Sequence, residues 1–203
     1  MRYFSYLVPD MKLIIKKLPE TTVTYAQLTD LIHAAFEERL QQGLNFTCSR
    51  MSEKDFERRM NDGTVFVALD EETGELLGTV SIFVKTDKKG HKYGYHEYLA
   101  VSPKAKHMGV ATQLAEAWMA FAKENGLQYI KSDTATRAYS SVKWHLKNGF
   151  MKYYLKSFDD TNYASYLFVK YLDDSIKQSP IIIRLRYLYS RFRYFFSAQK
   201  RRI

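Results

Sequence analysis

A basic loop in front of a helix is the part of this sequence best suited to hold an anion. The stretch VSPKAKHMGVATQL, residues 101–114, ends an apolar run and restarts as a helix at Gly109. The N-terminus of a helix presents unpaired N–H groups and a partial positive charge, and both attract phosphate. Gly109 and Ala111 are small enough for the backbone to approach an anion closely. Lys106 adds a full charge and Thr112 a hydroxyl; the alternative is an ordinary capped loop with solvated lysines.

Other phosphate-binding loops and the usual metal patterns are missing from the sequence. The chain contains neither G-x-x-x-x-G-K-[ST] nor G-x-G-x-x-G, so a kinase-like or dinucleotide-binding function loses its main support. The five histidines show no metal-ligand spacing, and we expect no metal. A single cysteine, Cys48, excludes an intrachain disulfide framework and the multi-cysteine zinc patterns.

Charge divides the chain into a nearly neutral body and a basic tail. The sequence has 203 residues and a formal net charge of +9, with 46% hydrophobic residues, which suits one domain with a sizeable core. Residues 177–203 contain basic residues and no acidic one, so they hold most of the imbalance. We therefore predict a domain at residues 1–174, followed at 175–203 by a linker and a basic tail.

Hydrophobic periodicity and turn signals predict the elements that position the basic loop. Strands are expected at residues 11–17, 64–69, 76–84, 93–101, 127–133, 151–158 and 166–172, and helices at 24–40, 52–60, 109–124 and 140–147. The middle of the chain is then one strand–helix–strand unit, whose two strands should be parallel with a right-handed crossover. The flanking hairpins make the sheet mixed, so the fold class is α+β.

Two stretches resemble the motifs of the GNAT superfamily of N-acetyltransferases. LAVSPKAKHMGVATQL is similar to its coenzyme A motif, an apolar strand ending L-x-V-x-P and then [RQ]-x-x-G-x-[GA] opening a helix; Lys106 replaces the arginine or glutamine. SSVKWHLKNGF is similar to the second motif, a short helix ending in Gly149-Phe150, with Ala138 where asparagine is usual. The resemblance covers residues 11–172. It implies a GNAT-like mixed, mostly antiparallel twisted sheet, with one central parallel strand–helix–strand unit and flanking helices.

The resemblance also implies where acetyl-coenzyme A binds. The strands ending near Val101 and Asp133 would diverge, with the pantetheine arm against the first and the pyrophosphate on the backbone N–H groups of the basic loop. The predicted coenzyme-binding residues are Leu99, Ala100, Val101, Lys106, His107, Met108, Gly109, Val110, Ala111, Thr112 and Ser141.

Members of this family transfer the acetyl group directly to an amine, and this implies a general base. A lysine-like amine with a pKa of about 10.4 is almost wholly protonated at pH 7. Glu97, on the strand beneath the thioester, is the predicted base, directly or through a water; the alternative is a solvent-facing strand residue. His96 is next to it on the opposite face of the strand.

Two further residues carry competing interpretations. His145 stands where the family commonly has the tyrosine that protonates the departing thiolate, and it is our predicted acid. The alternative is a partly buried helix histidine satisfied by a backbone carbonyl. Cys48 could act as a nucleophile in a rival mechanism, but a buried structural cysteine is the expected state.

The acceptor site is predicted from two segments that would flank the cleft. Phe46 lies in the first, and the second is FDDTNYASY, in which Asp159 and Asp160 could attract a cationic amine and Tyr163 could stack on a ring. The alternative for the second segment is a polar hairpin loop. We expect a small-molecule amine as the acceptor. The rival function is a catalytically silent acyl-coenzyme A-binding module.

The tail repeats one pattern, RLRYLYS and then RFRYFFS, at residues 184–197. At about 3.6 residues per turn its apolar residues form one stripe flanked by arginines, which predicts a basic amphipathic helix. The stripe consists of Ile181, Leu185, Leu188, Phe192 and Phe195. It could bind a membrane surface through residues 181–203, or it could pack on the body or on a second copy in a homodimer; nucleic acid is disfavoured. With no signal peptide and no spanning segment, we expect a cytoplasmic protein, at the inner face of the membrane if the tail binds lipid.

Overall fold

One seven-stranded sheet with helices on both faces forms the fold of residues 12–200, the part of the chain that this computed structural model describes. The strands are β1 Leu13–Lys17, β2 Thr64–Asp70, β3 Leu76–Thr86, β4 Lys92–Val101, β5 Tyr129–Ala135, β6 Met151–Ser157 and β7 Ala164–Tyr171. The helices are α1 Tyr25–Gln41, α2 Glu53–Met60, α3 Val110–Glu124, α4 Tyr139–Lys147 and α5 Pro180–Lys200. Every predicted element is present, with ends shifted by at most two residues; the first residue of the predicted strand 11–17 lies outside the described residues.

Local sequence signals explain where the first two helices begin. The side chain of Thr24 accepts from the backbone N–H of Gln27, and the Gln27 side chain accepts from the Thr24 N–H, which forms a capping box. Ser52 and Asp55 form the same reciprocal pair at the start of α2. Each box satisfies two N–H groups that a helix leaves unpaired, so both start points could be read from the sequence.

The sheet has the order β1-β2-β3-β4-β5-β7-β6, and within residues 12–200 its only parallel pair is β4 with β5. Helix α3 makes the crossover between those two strands. The predicted α+β class, with a mostly antiparallel sheet around one parallel unit, is confirmed. This topology places the end of β4, the basic loop and the start of α3 next to the end of β5.

Two apolar clusters fix the helices on opposite faces of the sheet. On one face Leu114 and Trp118 of α3 pack with Phe168 of β7 and with Phe150, which follows α4. On the other face α1 and α2 bury Leu28, Ile32, Phe56 and Met60 against β2 and β3. Since α1 and α3 lie on opposite sides of the sheet, the cleft at the end of β4 is bounded from both faces.

Helix α5 covers the open edge of β6 and leaves its apolar stripe in solvent. Ile183 and Ser190 are buried, and the Ser190 hydroxyl accepts a hydrogen bond from the N–H of Leu155 at 2.9 Å. An edge strand has unpaired N–H groups, so this contact protects the sheet edge. The predicted stripe is exposed, with Ile181 at 70% and Phe192 at 62%. The stripe therefore does not pack on the body, which leaves a membrane surface or a second copy among the alternatives. None of the described helices has the length and apolarity needed to cross a bilayer.

Candidate active site

The two parallel strands separate halfway along their length. Residues Tyr93–Tyr95 of β4 pair with Tyr129–Lys131 of β5, and beyond them no rung joins the two strands, although β4 continues to Val101 and β5 to Ala135. The gap opens into a cleft of about 510 Å³. Backbone groups on the open side of β4 are thereby left facing the cleft, where they are free to bind an extended molecule.

The basic loop presents a set of N–H groups at the start of α3. His107 and Gly109 have φ of +69° and +82°, and Gly109 is the N-cap of α3, so the helix begins one residue later than expected. Among the described residues, no backbone carbonyl accepts from the N–H groups of His107, Gly109, Val110 or Ala111. A Cβ built on Gly109 would meet nothing within 4 Å. An anion thus has both the donors and the space that the sequence predicted.

The side chains of the basic loop differ in how far they are exposed to solvent. His107 and Thr112 are exposed and Met108 is half-buried, whereas the Val110 side chain is packed in the core and offers only its backbone. Lys106 donates to the carboxylate of Glu38 on α1 at 2.8 Å, and this contact lowers the pKa of Glu38. Lys106 therefore has a protein partner, so a phosphate would share the lysine with Glu38 or displace it.

Helix α1 also reaches the opposite wall of the cleft. The guanidinium of Arg39 donates to the hydroxyl of Ser140 at the start of α4, and Arg39 lines the cleft together with Ser141. Glu38 and Arg39 are neighbours in sequence, yet one contacts the basic loop and the other contacts α4. The end of α1 consequently bridges the two walls of the cleft, one formed by the basic loop and the other by α4.

Glu97 lines the cleft and is held by an arginine. The Arg59 guanidinium forms a bidentate pair with its carboxylate, with distances of 2.9 and 3.2 Å from one nitrogen, and Arg59 lies over the ring of Tyr98 at 5.7 Å. Tyr98 has a φ of +55°, a conformation that non-glycine residues rarely adopt. The ion pair holds the carboxylate of Glu97 in a fixed position in the cleft wall.

His145 is packed inside the protein with both ring nitrogens engaged. Nδ1 lies 2.8 Å from the carbonyl oxygen of Ser141, and Nε2 lies 3.0 Å from the hydroxyl of Ser132. The carbonyl can only accept, so Nδ1 carries the hydrogen and Nε2 accepts from the serine. Burial lowers the pKa of His145 to about 4. This is the arrangement that the alternative interpretation expected, a helix histidine satisfied by a backbone carbonyl.

His96 stacks on His145, with ring centroids 5.5 Å apart. It is 3% exposed, and within the described structure neither of its ring nitrogens has a hydrogen-bond partner. Burial first, and then the neighbouring His145, lowers the pKa of His96 to about 3. Both rings are therefore neutral at physiological pH, and they contact Trp118 and Trp144.

Cys48 lies in the cleft wall but is not set up as a nucleophile. The side chain is 6% exposed, and burial raises the pKa of its thiol to about 12. At pH 7 only about one molecule in 10⁵ would carry the reactive thiolate. The expectation of a buried structural cysteine is confirmed.

Asp133 is an acidic group that sequence analysis did not identify as functional. It lies near the end of β5 within the cleft, and it accepts a hydrogen bond from the hydroxyl of Tyr95 at 2.6 Å. Burial raises the pKa of Asp133, against the opposing effect of the Tyr95 hydrogen bond. The position could have been found, because ligands bind where neighbouring strands diverge at their carboxyl ends.

The predicted acceptor segments meet at the same end of the cleft. The rings of Phe46 and Tyr163 are 4.9 Å apart, and both line the cleft. Asp160 lines it as well and accepts from the hydroxyl of Thr47 at 2.9 Å. Asp159 is exposed and is not among the residues that line the cleft, so the structure brings Asp160 and not Asp159 to this end. Which of two adjacent aspartates lines the cleft depends on the folded conformation of the loop, which the sequence pattern does not give.

Charge is unevenly distributed along the cleft. Lys106 and Arg39 lie at the end formed by the basic loop and α4, while Asp133 and Asp160 lie at the other end with Glu97 and its partner Arg59. The first end suits phosphate and the second suits a cation. Among residues 12–200, no group of histidine, cysteine and acidic side chains is placed to hold a metal ion.

Comparison with known proteins agrees with this geometry. The sequence model described as the acetyltransferase (GNAT) family matches residues 25–150, more than half of the chain. No curated protein is similar enough in sequence to count as a match.

Several solved structures have the same fold at low sequence identity. One is a chain of the NatC complex bound to Gag peptide and coenzyme A, with a TM-score of 0.64, 16% identity, and coverage of 80% of this chain and 99% of that one. A GNAT-family acetyltransferase from Staphylococcus aureus Mu50 has a TM-score of 0.62 and 14% identity, over 80% of this chain and 100% of that one. Another, from Elizabethkingia anophelis with acetyl-coenzyme A bound, has a TM-score of 0.55 and 14% identity, over 79% and 98%.

Proposed function

The chain belongs to the acetyltransferase (GNAT) family, and from that premise we propose that it transfers the acetyl group of acetyl-coenzyme A directly to an amine. The observation that carries the proposal is the separation of β4 from β5 beside a loop of unpaired N–H groups. One end of this cleft suits the pyrophosphate, and the other suits a cationic acceptor. The thioester would lie between them, next to Glu97.

The coenzyme end supplies binding rather than chemistry. The unpaired N–H groups of His107, Gly109, Val110 and Ala111 would donate to the pyrophosphate, and Gly109 leaves room for it. The N–H of Met108 already donates to the carbonyl of Ala105 and would have to exchange it. The backbone of Leu99, Ala100 and Val101 would pair with the pantetheine arm along the open side of β4. Lys106 would exchange Glu38 for phosphate, while Ser141 contributes to the wall on α4.

Glu97 is proposed as the general base. The acceptor ammonium must lose a proton before its nitrogen can attack, and at pH 7 this costs about 4.6 kcal/mol for an amine with a pKa of about 10.4. The carboxylate of Glu97 takes that proton, directly or through a water, and Arg59 holds the carboxylate in place. An N–H group near the end of β4 is available to the oxyanion.

Direct transfer needs neither an acyl-enzyme nor a strong acid. The buried Cys48 thiol is too rarely ionised to form an acyl-cysteine. The departing coenzyme thiolate resembles a cysteine thiolate, with a pKa of about 8.5, so leaving without a proton costs only roughly 2 kcal/mol at pH 7. His145, whose nitrogens are both engaged, is accordingly assigned a packing role in place of the acid role expected from its position.

The acceptor is proposed to be a small molecule with a cationic primary amine. Glu97 is paired with Arg59, so Asp133 and Asp160 are the acidic groups left to attract the ammonium. The rings of Phe46 and Tyr163 can contact the rest of the molecule. The similar NatC chain was solved with a peptide, so a peptide with a free N-terminus is the competing acceptor.

Calorimetric titration with acetyl-coenzyme A, followed by a thiol-release assay on a panel of amines, tests the proposal. The panel contains polyamines, amino sugars, amino acids and a peptide with a free N-terminus. We expect binding, and thiol release that is fastest with a small cationic amine. Failure to bind millimolar acetyl-coenzyme A would contradict the proposed function altogether. Binding without thiol release from any amine would instead favour the silent acyl-coenzyme A-binding module.

A further inference from the structure

Helix α5 exposes an apolar surface directly opposite the surface by which it packs on the domain. The packing face contains Ile183 and Ser190, with Tyr187 half-buried beside Tyr166. At about 100° per residue, this face lies about 180° from the apolar stripe of Ile181, Leu185, Leu188, Phe192 and Phe195. Every member of the stripe is exposed, as are Ile182, Tyr189 and Phe196 next to it. A solvent-facing patch of this kind marks an interaction surface.

Arginines border the stripe on both sides. Arg184 and Arg191 lie along one border, and Arg186 and Arg193 along the other. All four are exposed, and none forms an ion pair with another described residue. Their side chains are long enough to reach from the level of the helix axis toward the apolar side. The surface therefore combines an apolar centre with a cationic rim.

We propose that this face of α5 binds the surface of an anionic lipid bilayer, with the stripe among the acyl chains and the arginines at the headgroups. A helix that lies in the interface needs an apolar face, basic borders and no charge within the apolar face, and α5 meets each condition. The packed side holds the helix to the sheet edge through Ser190 and Leu155, so the whole domain would be carried to the membrane.

Charge argues against the other occupants of this face. In a twofold pair of α5 helices the arginine borders would approach their own copies, and residues 177–203 offer no acidic residue to pair with them. Nucleic acid would satisfy the arginines but would leave the apolar centre in water. An anionic bilayer satisfies both the charge and the apolar area.

Co-sedimentation of the full chain with vesicles tests the proposal. We expect binding that increases as phosphatidylserine rises from none to about a third of the lipid, and that weakens with added salt. The double variant Phe192→Ser/Phe195→Ser should lose at least tenfold in affinity. Arg184→Gln/Arg191→Gln should lose about 25-fold, since each arginine near an anionic surface contributes a factor of about five.

Matched variants keep the test specific. Val84→Ser removes an apolar side chain that is 47% exposed, as Leu188 is, but lies on β3. Lys54→Gln/Lys123→Gln removes two charges from the exposed surface of α2 and α3. Both should bind like the wild type, and circular dichroism should show every variant folded, because no substituted side chain belongs to the core.

Three results would overturn the proposal. The first is no binding to vesicles containing phosphatidylserine. The second is binding that is equally strong on neutral vesicles and is unaffected by loss of the arginines. The third is a wild-type dimer that does not bind vesicles and that is absent from the phenylalanine double variant, as measured by analytical ultracentrifugation. In the last case the face belongs to a second copy. Acetyl transfer to a soluble amine is measured in parallel and should persist in every variant.

Discussion

Replacing His145 with phenylalanine separates a packed histidine from a catalytic acid. The phenyl ring keeps the stacking on Phe168, whose ring centroid is 4.5 Å from that of His145, but it has no proton to donate. It also removes the hydrogen bond to Ser132. A lost hydrogen bond that leaves one buried partner costs about 1–3 kcal/mol, so the variant should be less stable than the wild type at pH 8.

Although the variant is less stable at pH 8, it should lose less stability than the wild type when the pH falls from 8 to 5. Burial holds the pKa of His145 at about 4 and that of His96 at about 3, against 6.5 ordinarily. Because both values are depressed, this contribution to stability is complete above pH 6.5 and is lost as the pH falls towards 4, since the unfolded chain then binds protons that the fold excludes. Going from pH 8 to pH 5 should cost about 2 kcal/mol for each histidine. The two histidines should therefore cost the wild type about 4 kcal/mol, and the one that remains should cost the variant about 2 kcal/mol.

Urea unfolding at both pH values, followed by tryptophan fluorescence, measures this difference, because both tryptophans contact the histidine pair. Turnover is measured on the same samples at pH 7. A packed histidine predicts turnover within about threefold of the wild type, whereas loss of a general acid costs about 10²–10⁴-fold. A large fall in turnover with unchanged coenzyme affinity would restore the acid role. Equal losses of stability in both proteins would show that His145 is not held neutral.

Three further variants test the rest of the site. Gly109→Glu should weaken acetyl-coenzyme A binding at least 100-fold by calorimetry, because it places a negative side chain where the pyrophosphate would lie; Gly126→Glu, at a φ of +64° on the other end of α3, should bind normally. Glu97→Gln should bind the coenzyme normally but turn over about 10²–10⁴-fold more slowly at pH 7, with a smaller loss at pH 10, where about 30% of an amine with a pKa of about 10.4 is already deprotonated. Wild-type turnover at every pH would remove Glu97 from the mechanism. Asp133→Asn should raise KM for a cationic amine, because it removes a negative charge from the cleft. The same substitution should raise Tm at pH 7, because a buried carboxyl whose pKa is raised destabilises the fold once it ionises. Asp159→Asn should do neither, and a fall in Tm for Asp133→Asn would refute the sign.

Short-range signals in the sequence were enough to predict the elements and the unpaired N–H groups of the basic loop. Capping boxes, turn residues and hydrophobic periodicity are short-range signals, so α1, α2 and the strand–helix–strand unit lie where they were predicted. The loop could be predicted for the same reason. The unpaired N–H groups follow from the start of a helix, and the positive φ of Gly109 needs a glycine at that residue.

Contacts between side chains that are distant in sequence could not be predicted in this way. Glu97 pairs with Arg59, 38 residues away, and Lys106 pairs with Glu38, 68 residues away; no periodicity encodes such contacts. The packing of α5 could not be predicted from the sequence for the same reason. Periodicity identified an apolar stripe on α5 but not the side by which the helix packs. That side was decided by the open edge of β6, whose Leu155 N–H needs an acceptor, and the hydroxyl of Ser190 supplies one where the apolar stripe has none.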